Sequence, residues 1–174
     1  MIIGLIMTDG IYLLLGSNLG DRRKKISAAG ELISQLVGKI IKYSGIYESA
    51  AWGKISQPAF LNQVVEVSTK LTPYNLLTTL HQIENNLGRV RREKWAERVI
   101  DIDILYYNAL IIKEQSLIIP HPEITTRRFT LVPLVEIAND FVHPELLKSN
   151  AKLLLACSDN LNVTLLNTSR ADIK

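Results

Sequence analysis

The 174-residue sequence predicts an α+β sandwich, with two β-α-β units on one mainly antiparallel sheet and an extra C-terminal hairpin and helices. Three observations predict it. Short β-branched apolar runs alternate with longer runs of helical period. Capping and turn residues sit at the joints between them. The order strand, helix, strand occurs twice in succession, which is the double split unit (βαββαβ) of a ferredoxin-like sandwich.

Taken in order, residues 11–15 read as a buried strand that stops at Gly16. Gly16-Ser17-Asn18-Leu19-Gly20-Asp21 is turn chemistry, and it leads into a helix over about 21–36. A second strand follows over 39–47, then a loop over 48–58 and a third strand over 60–68. Thr72 caps the next helix, and Pro73 takes its first position. Leu76, Leu80, Ile83 and Leu87 make its apolar stripe, and Gly88 ends it. After a basic segment over 89–98, a strand runs over 99–106. A hairpin near 111–119, helices around 132–138 and 144–156, and a strand over 163–166 complete the expectation. The two irregular segments, 48–58 and 88–98, are where binding loops are expected.

The length suits one domain over residues 1–174 with a real hydrophobic core. Arg89, Arg91, Arg92, Lys94 and Arg98, set against Glu93 and Glu97, carry the whole net charge of +3. A local positive patch on an otherwise balanced chain points to a small anionic ligand rather than a long nucleic acid. The single cysteine, Cys157, follows an apolar helical run and reads as a buried structural thiol. The apolar start over 1–7 is too short to span a bilayer and lacks a basic leader. The chain is expected to be cytoplasmic, monomeric and free of membrane.

The chemistry concentrates in Asp101-Ile102-Asp103-Ile104. In a strand, residues i and i+2 share a face, so both carboxylates point the same way, roughly 6.5 Å apart. An Asp-x-Asp pair also fits the solvent side of an amphipathic strand. Here Val99 and Leu105 flank the acids on the same face, as a binding wall requires. Two neighbouring carboxylates need protons, counter-charges or metal ions. Hard oxygen ligands with arginines just upstream suit Mg²⁺ and a polyphosphate.

Six motifs in series resemble the 6-hydroxymethyl-7,8-dihydropterin pyrophosphokinases of folate biosynthesis. They are Gly16-Ser17-Asn18-Leu19-Gly20, Gln57-Pro58-x-Phe60-Leu61-Asn62 and Glu84-x-x-x-Gly88-Arg89-x-Arg91. Next come Trp95-x-x-Arg98-x-x-Asp101-Ile102-Asp103-Ile104, Pro120-His121-Pro122 and Arg127-x-Phe129-x-Leu131-x-Pro133-Leu134. Together they span residues 11 to about 145. The resemblance implies transfer of the β,γ-pyrophosphoryl group of ATP to the pterin hydroxymethyl group, with release of AMP. It implies two Mg²⁺ ions on Asp101 and Asp103, with Arg89 and Arg98 as further catalytic residues. It implies ATP contacts from Glu84, Arg91, Arg98, Ile104, His121 and Arg127. The pterin would lie among Ser49, Ala50, Trp52, Phe60, Asn62, Trp95 and Phe129. Gly16 to Gly20 reads as a turn supporting the sheet, since no Lys-Ser/Thr follows as in a phosphate loop. His81 and His143 read as structural.

The sequence departs from the family pattern in its loops. Ala96-Glu97 stands where Gly-Pro is common, Ala50 and Ala51 where prolines are common, and the basic loop is a residue short before Trp95. These bear on loop geometry more than on the reaction. Two other classes share parts of the pattern. A two-metal nuclease or nucleotidyltransferase would need a third acid near Asp101 and Asp103. A ferredoxin-like nucleic-acid module would need aromatics on its central strands.

Overall fold

Every residue of β1 (Ile11–Ser17) is buried, because this strand lies inside the sheet with packed layers on both faces. The computed structural model describes residues 9–51, 57–89 and 99–166. β1 pairs antiparallel with β4 (Phe60–Thr69) on one side and with β5 (Asp101–Tyr107) on the other. Along β4 lie β2 (Gly38–Tyr43) and then β3 (Tyr47–Ser49), and β8 (Val163–Leu165) pairs with β3. The order is therefore β5-β1-β4-β3-β8 with β2 also on β4, all neighbours antiparallel. β6 (Ile112–Glu114) and β7 (Leu117–Ile119) form the separate hairpin. The predicted α+β class and its antiparallel sheet are what the structure has.

Strand alternation sorts the side chains into two cores. Leu13, Leu15, Leu61, Val65, Ile102 and Ile104 face α1 (Arg22–Leu36) and α2 (Pro73–Asn86), which bury Ile26, Ile33, Leu76, Leu80 and Ile83 against them. Tyr12, Leu14 and Val64 face the other way, toward α3 (Arg128–Ala138) and α4 (Asn150–Ala156), and a register shift in the β1–β5 ladder after Ile104 brings Tyr106 onto that face too. There Phe141 makes an edge contact with Tyr12 at 5.2 Å and packs on Tyr106 at 4.4 Å between ring centroids. The buried Asn150 joins this layer together: it accepts from the Tyr106 hydroxyl and donates to the Ala138 carbonyl, both at 2.8 Å.

Several boundaries differ from the expectation. The strand expected over 39–47 is two strands, because α3 takes a backbone donor from it: Glu136 accepts from Gly45 N–H at 2.9 Å and from the Tyr47 hydroxyl at 2.8 Å. β3 also claims residues 48 and 49 from the expected loop. α3 starts four residues before 132, at Arg128, whose N–H donates to Asp159 at 2.8 Å. Pro133 lies inside this helix. The helix expected from 144 begins only at Asn150, capped by Ser149. Before it, Nδ1 of His143 accepts from the N–H groups of Glu145 and Leu146, and Leu147 takes a positive φ of 54°. Those bonds make a turn where periodicity alone suggested helix. Cys157 is half-buried at the end of α4, at the margin of the core rather than inside it. Among the described residues, no helix is long and apolar enough to cross a membrane.

Candidate active site

On the sheet face opposite α1 and α2, one cross-strand row reads Asp101, Gly16, Asn62, Tyr47. The next row inward reads Asp103, Leu14, Val64. Adjacent strands lie about 4.8 Å apart, so Asp101 and Asn62 are separated by roughly 10 Å. Gly16 lies between them and has no side chain to fill the gap. The polar row therefore has a charged end, an amide end and a bare centre.

The charged end is assembled by the way α2 stops. Gly88 adopts φ 92°, which glycine takes without a Cβ penalty. Gly88 N–H donates to the Asn85 carbonyl and Arg89 N–H to the Glu84 carbonyl, both at 3.0 Å. This is the Schellman pattern, and it turns Arg89 back over Glu84. The Arg89 guanidinium then pairs with Glu84 and, at 2.7 Å, with Asp101. Burial disfavours its charge, but Asp101 and Glu84 outweigh that and hold its pKa above the ordinary value.

Glu84 is 2 % exposed and accepts from the Ile102 N–H at 2.7 Å, joining the end of α2 to β5. Burial pushes its carboxyl up, to about 7, against the opposing pull of that N–H and of Arg89. Expected as an ATP contact, this carboxylate is here engaged with the protein. Ile104, also expected as an ATP contact, lies on β5 at the edge of the sheet. Alternation points its side chain into the α1/α2 core, where it is 5 % exposed, leaving only its backbone for a ligand.

His121 follows a cis Ile119–Pro120 bond, and its N–H donates to the Leu105 carbonyl at 3.0 Å. Its Nδ1 accepts from Glu123 N–H at 3.2 Å, so the neutral ring carries its proton on Nε2, 4.0 Å from an Asp103 oxygen. Burial, with Arg127 nearby, lowers its pKa to about 4 and keeps it neutral near pH 7. Arg127 in turn lies 5.8 Å from the centroid of Phe129, which is half-buried in the first turn of α3.

At the amide end, Asn62 is buried and donates through Nδ2 to Ser49 Oγ at 3.0 Å. Phe60 sits opposite Ser49 in the β3–β4 ladder and shares its face with Asn62. Ala50, one residue beyond, is exposed. The structure thus gathers Asp101, Asp103, Glu84, Arg89, His121 and Arg127 around β5, and Ser49, Phe60 and Asn62 around β4. Trp52, Arg91, Trp95 and Arg98 lie outside the described residues.

Sequence reasoning passed over three residues on the α1/α2 side of the sheet, behind this face. Ser17 Oγ donates to the Val99 carbonyl at 2.6 Å, and Lys25 Nζ to the Leu87 carbonyl at 2.8 Å. Arg22 donates to Glu48 at 2.8 Å and to the Ala59 carbonyl at 2.7 Å. The signal was Arg22-Arg23-Lys24-Lys25, four cations at a helix N-terminus, where the helix dipole disfavours them.

An α+β sandwich that presents paired carboxylates and a held arginine on one sheet face has the charge pattern of an enzyme handling polyphosphates. Residues 12–139 match the family described as 7,8-dihydro-6-hydroxymethylpterin-pyrophosphokinase (HPPK). The 2-amino-4-hydroxy-6-hydroxymethyldihydropteridine pyrophosphokinase of Haemophilus influenzae is 43 % identical over 134 residues, 76 % of this chain and 84 % of that protein. The folic acid synthesis protein fol1 of Pneumocystis carinii is 46 % identical over 139 residues, 80 % of this chain but only 19 % of that protein. The crystal structure of wild-type Plasmodium falciparum HPPK-DHPS with pteroate shares the fold, with a TM-score of 0.68 at 19 % identity. That match covers 85 % of this chain and 42 % of that one. The chain belongs to the HPPK family, and with it to the enzymes that transfer a pyrophosphoryl group in folate biosynthesis.

Proposed function

We propose that the polar row of the sheet holds ATP and 6-hydroxymethyl-7,8-dihydropterin side by side and that the β,γ-pyrophosphoryl group passes between them, leaving AMP. The observation that carries this reading is the row Asp101, Gly16, Asn62: a charged end and an amide end about 10 Å apart, with no side chain between them. Asn62 and Ser49 offer a donor and acceptors to the edge of an aminopyrimidinone ring. Phe60 and Phe129, with Trp52 and Trp95, supply faces on which a flat heterocycle stacks.

Asp101 and Asp103 are the residues that would hold Mg²⁺. Among the described residues no cluster of three or more acids, histidines or cysteines could ligate a metal. The pair still fits, because Mg²⁺ takes one or two carboxylates and fills its remaining positions with water and substrate phosphates. When bound, the metal neutralises phosphate oxygens and aligns the acceptor with the phosphorus under attack. Arg89, held by Asp101 and Glu84, adds fixed positive charge, Arg127 lies near His121, and Arg91 and Arg98 are the further cations that the family resemblance implies for ATP. His121, neutral near pH 7, donates from Nε2 without adding charge. Incubation with ATP, Mg²⁺ and the hydroxymethyl pterin, with chromatographic identification of the nucleotide, tests the reading. Pterin-dependent AMP is expected; ADP, or no nucleotide product, would overturn it.

A further inference from the structure

Arg22 stands in the first turn of α1, a turn with no acidic residue and four successive cations. Cations are disfavoured at that end of a helix dipole, so their partners deserve an account. Arg22 bridges two strands: its guanidinium donates to Glu48 on β3 and to the carbonyl of Ala59, just before β4. Glu48 immediately precedes Ser49, and Ala59 immediately precedes Phe60. Ser49 and Phe60 form the last pair of the β3–β4 ladder, and Ser49 is the partner of Asn62. β3 has only three residues, so few ladder bonds hold this end in register.

We propose that Arg22 is a positioning residue for the pterin side of the site, fixing the Ser49–Asn62 pair by gripping the residue before each member of that last ladder pair. The proposal rests on the assignment of Ser49 and Asn62 to pterin binding. Arg22 touches no substrate in this account. Its side chain is 29 % exposed and that of Glu48 is 37 % exposed, and ion pairs so exposed add little to stability. Its effect therefore belongs in substrate binding rather than in folding.

The test compares KM for each substrate and the melting temperature in the full chain carrying Arg22→Ala, Glu48→Gln, Lys25→Met or Asn62→Ala. Misplacement of binding groups by a fraction of an ångström predicts that Arg22→Ala raises the pterin KM about tenfold and leaves the ATP KM within about twofold. Glu48→Gln, which spares the Ala59 contact, raises the pterin KM less. Arg22→Lys falls between wild type and Arg22→Ala: both bonds leave one guanidinium nitrogen, which an ammonium can replace as donor, but the lysine side chain is one bond shorter and reaches that point less well. Lys25→Met, on the same helix but bonded to the end of α2, leaves the pterin KM unchanged. If Asn62→Ala weakens pterin binding and Arg22→Ala does not, the role of Arg22 is refuted and the pterin site stands. If Asn62→Ala has no effect either, the pterin-site assignment falls and takes this proposal with it. Equal losses for both substrates with a lowered melting temperature, or a Lys25→Met effect matching Arg22→Ala, would mean that α1 supports the fold in general and would overturn the proposal. Should Arg22→Ala fail to fold, Arg22→Lys and Glu48→Gln carry the same comparison.

Discussion

One sheet face carries two stretches of very different chemistry, only a few residues apart along the same strands. Tyr12, Leu14, Val64 and Tyr106 pack beneath α3 and α4 with Phe141 and Leu134, and form a core. Gly16, Asn62, Asp101 and Asp103 continue the same face, yet they carry an amide, two carboxylates and an empty position, and Asp103 remains 32 % exposed. Leu14 and Asp103 are direct cross-strand partners, so the boundary passes between neighbouring side chains. Alternation decides which face a residue takes; the packed helices decide whether that position is core or site.

The comparison predicts that the two stretches fail differently. The largest effect is expected at Asp101→Ala or Asp103→Ala. Losing a metal-holding carboxylate should lower turnover roughly 10³-fold or more, with the melting temperature little changed. Steady-state AMP formation beside a thermal melt checks this, and near-normal turnover would remove these residues from the mechanism. In the covered stretch, Phe141→Ala should cost about 3–5 kcal/mol of stability through lost burial and a cavity. The surviving folded fraction should keep its activity per molecule, as urea unfolding beside an active-site titration would reveal. A smaller effect is expected at the joint between the two. Gly88→Ala has open space for the added Cβ, so its cost is conformational, about 1–2 kcal/mol for a positive φ. Because Gly88 also turns Arg89 onto Asp101, turnover should fall beyond what the lost stability explains. A urea midpoint that shifts with no change in turnover would show that Arg89 finds Asp101 by another route.

Much of this was legible in the chain. The alternation over Asp101-Ile102-Asp103-Ile104 put both acids on one face and both isoleucines in the core. Thr72, Pro73 and Gly88 marked the ends of α2 because capping and φ preferences act within a few residues. The misread elements share another cause. β2 separates from β3 because Glu136, 91 residues from Gly45, captures an N–H there. The second half of the expected C-terminal helix survives, while its first half turns around His143.

The same division runs through the site. Local sequence by itself determined the class of fold, the strand that carries the acids and the face they share, since periodicity and capping are properties of adjacent residues. Only the tertiary structure decided that Glu84 joins α2 to the Ile102 N–H, that Arg89 lies between Glu84 and Asp101, and that Arg22 holds β3 and the approach to β4 together. Apart from the Arg89–Glu84 pair, which the turn at Gly88 sets locally, these contacts close between groups well separated in the chain. Their geometry depends on where whole strands and helices come to rest, which no short-range preference encodes.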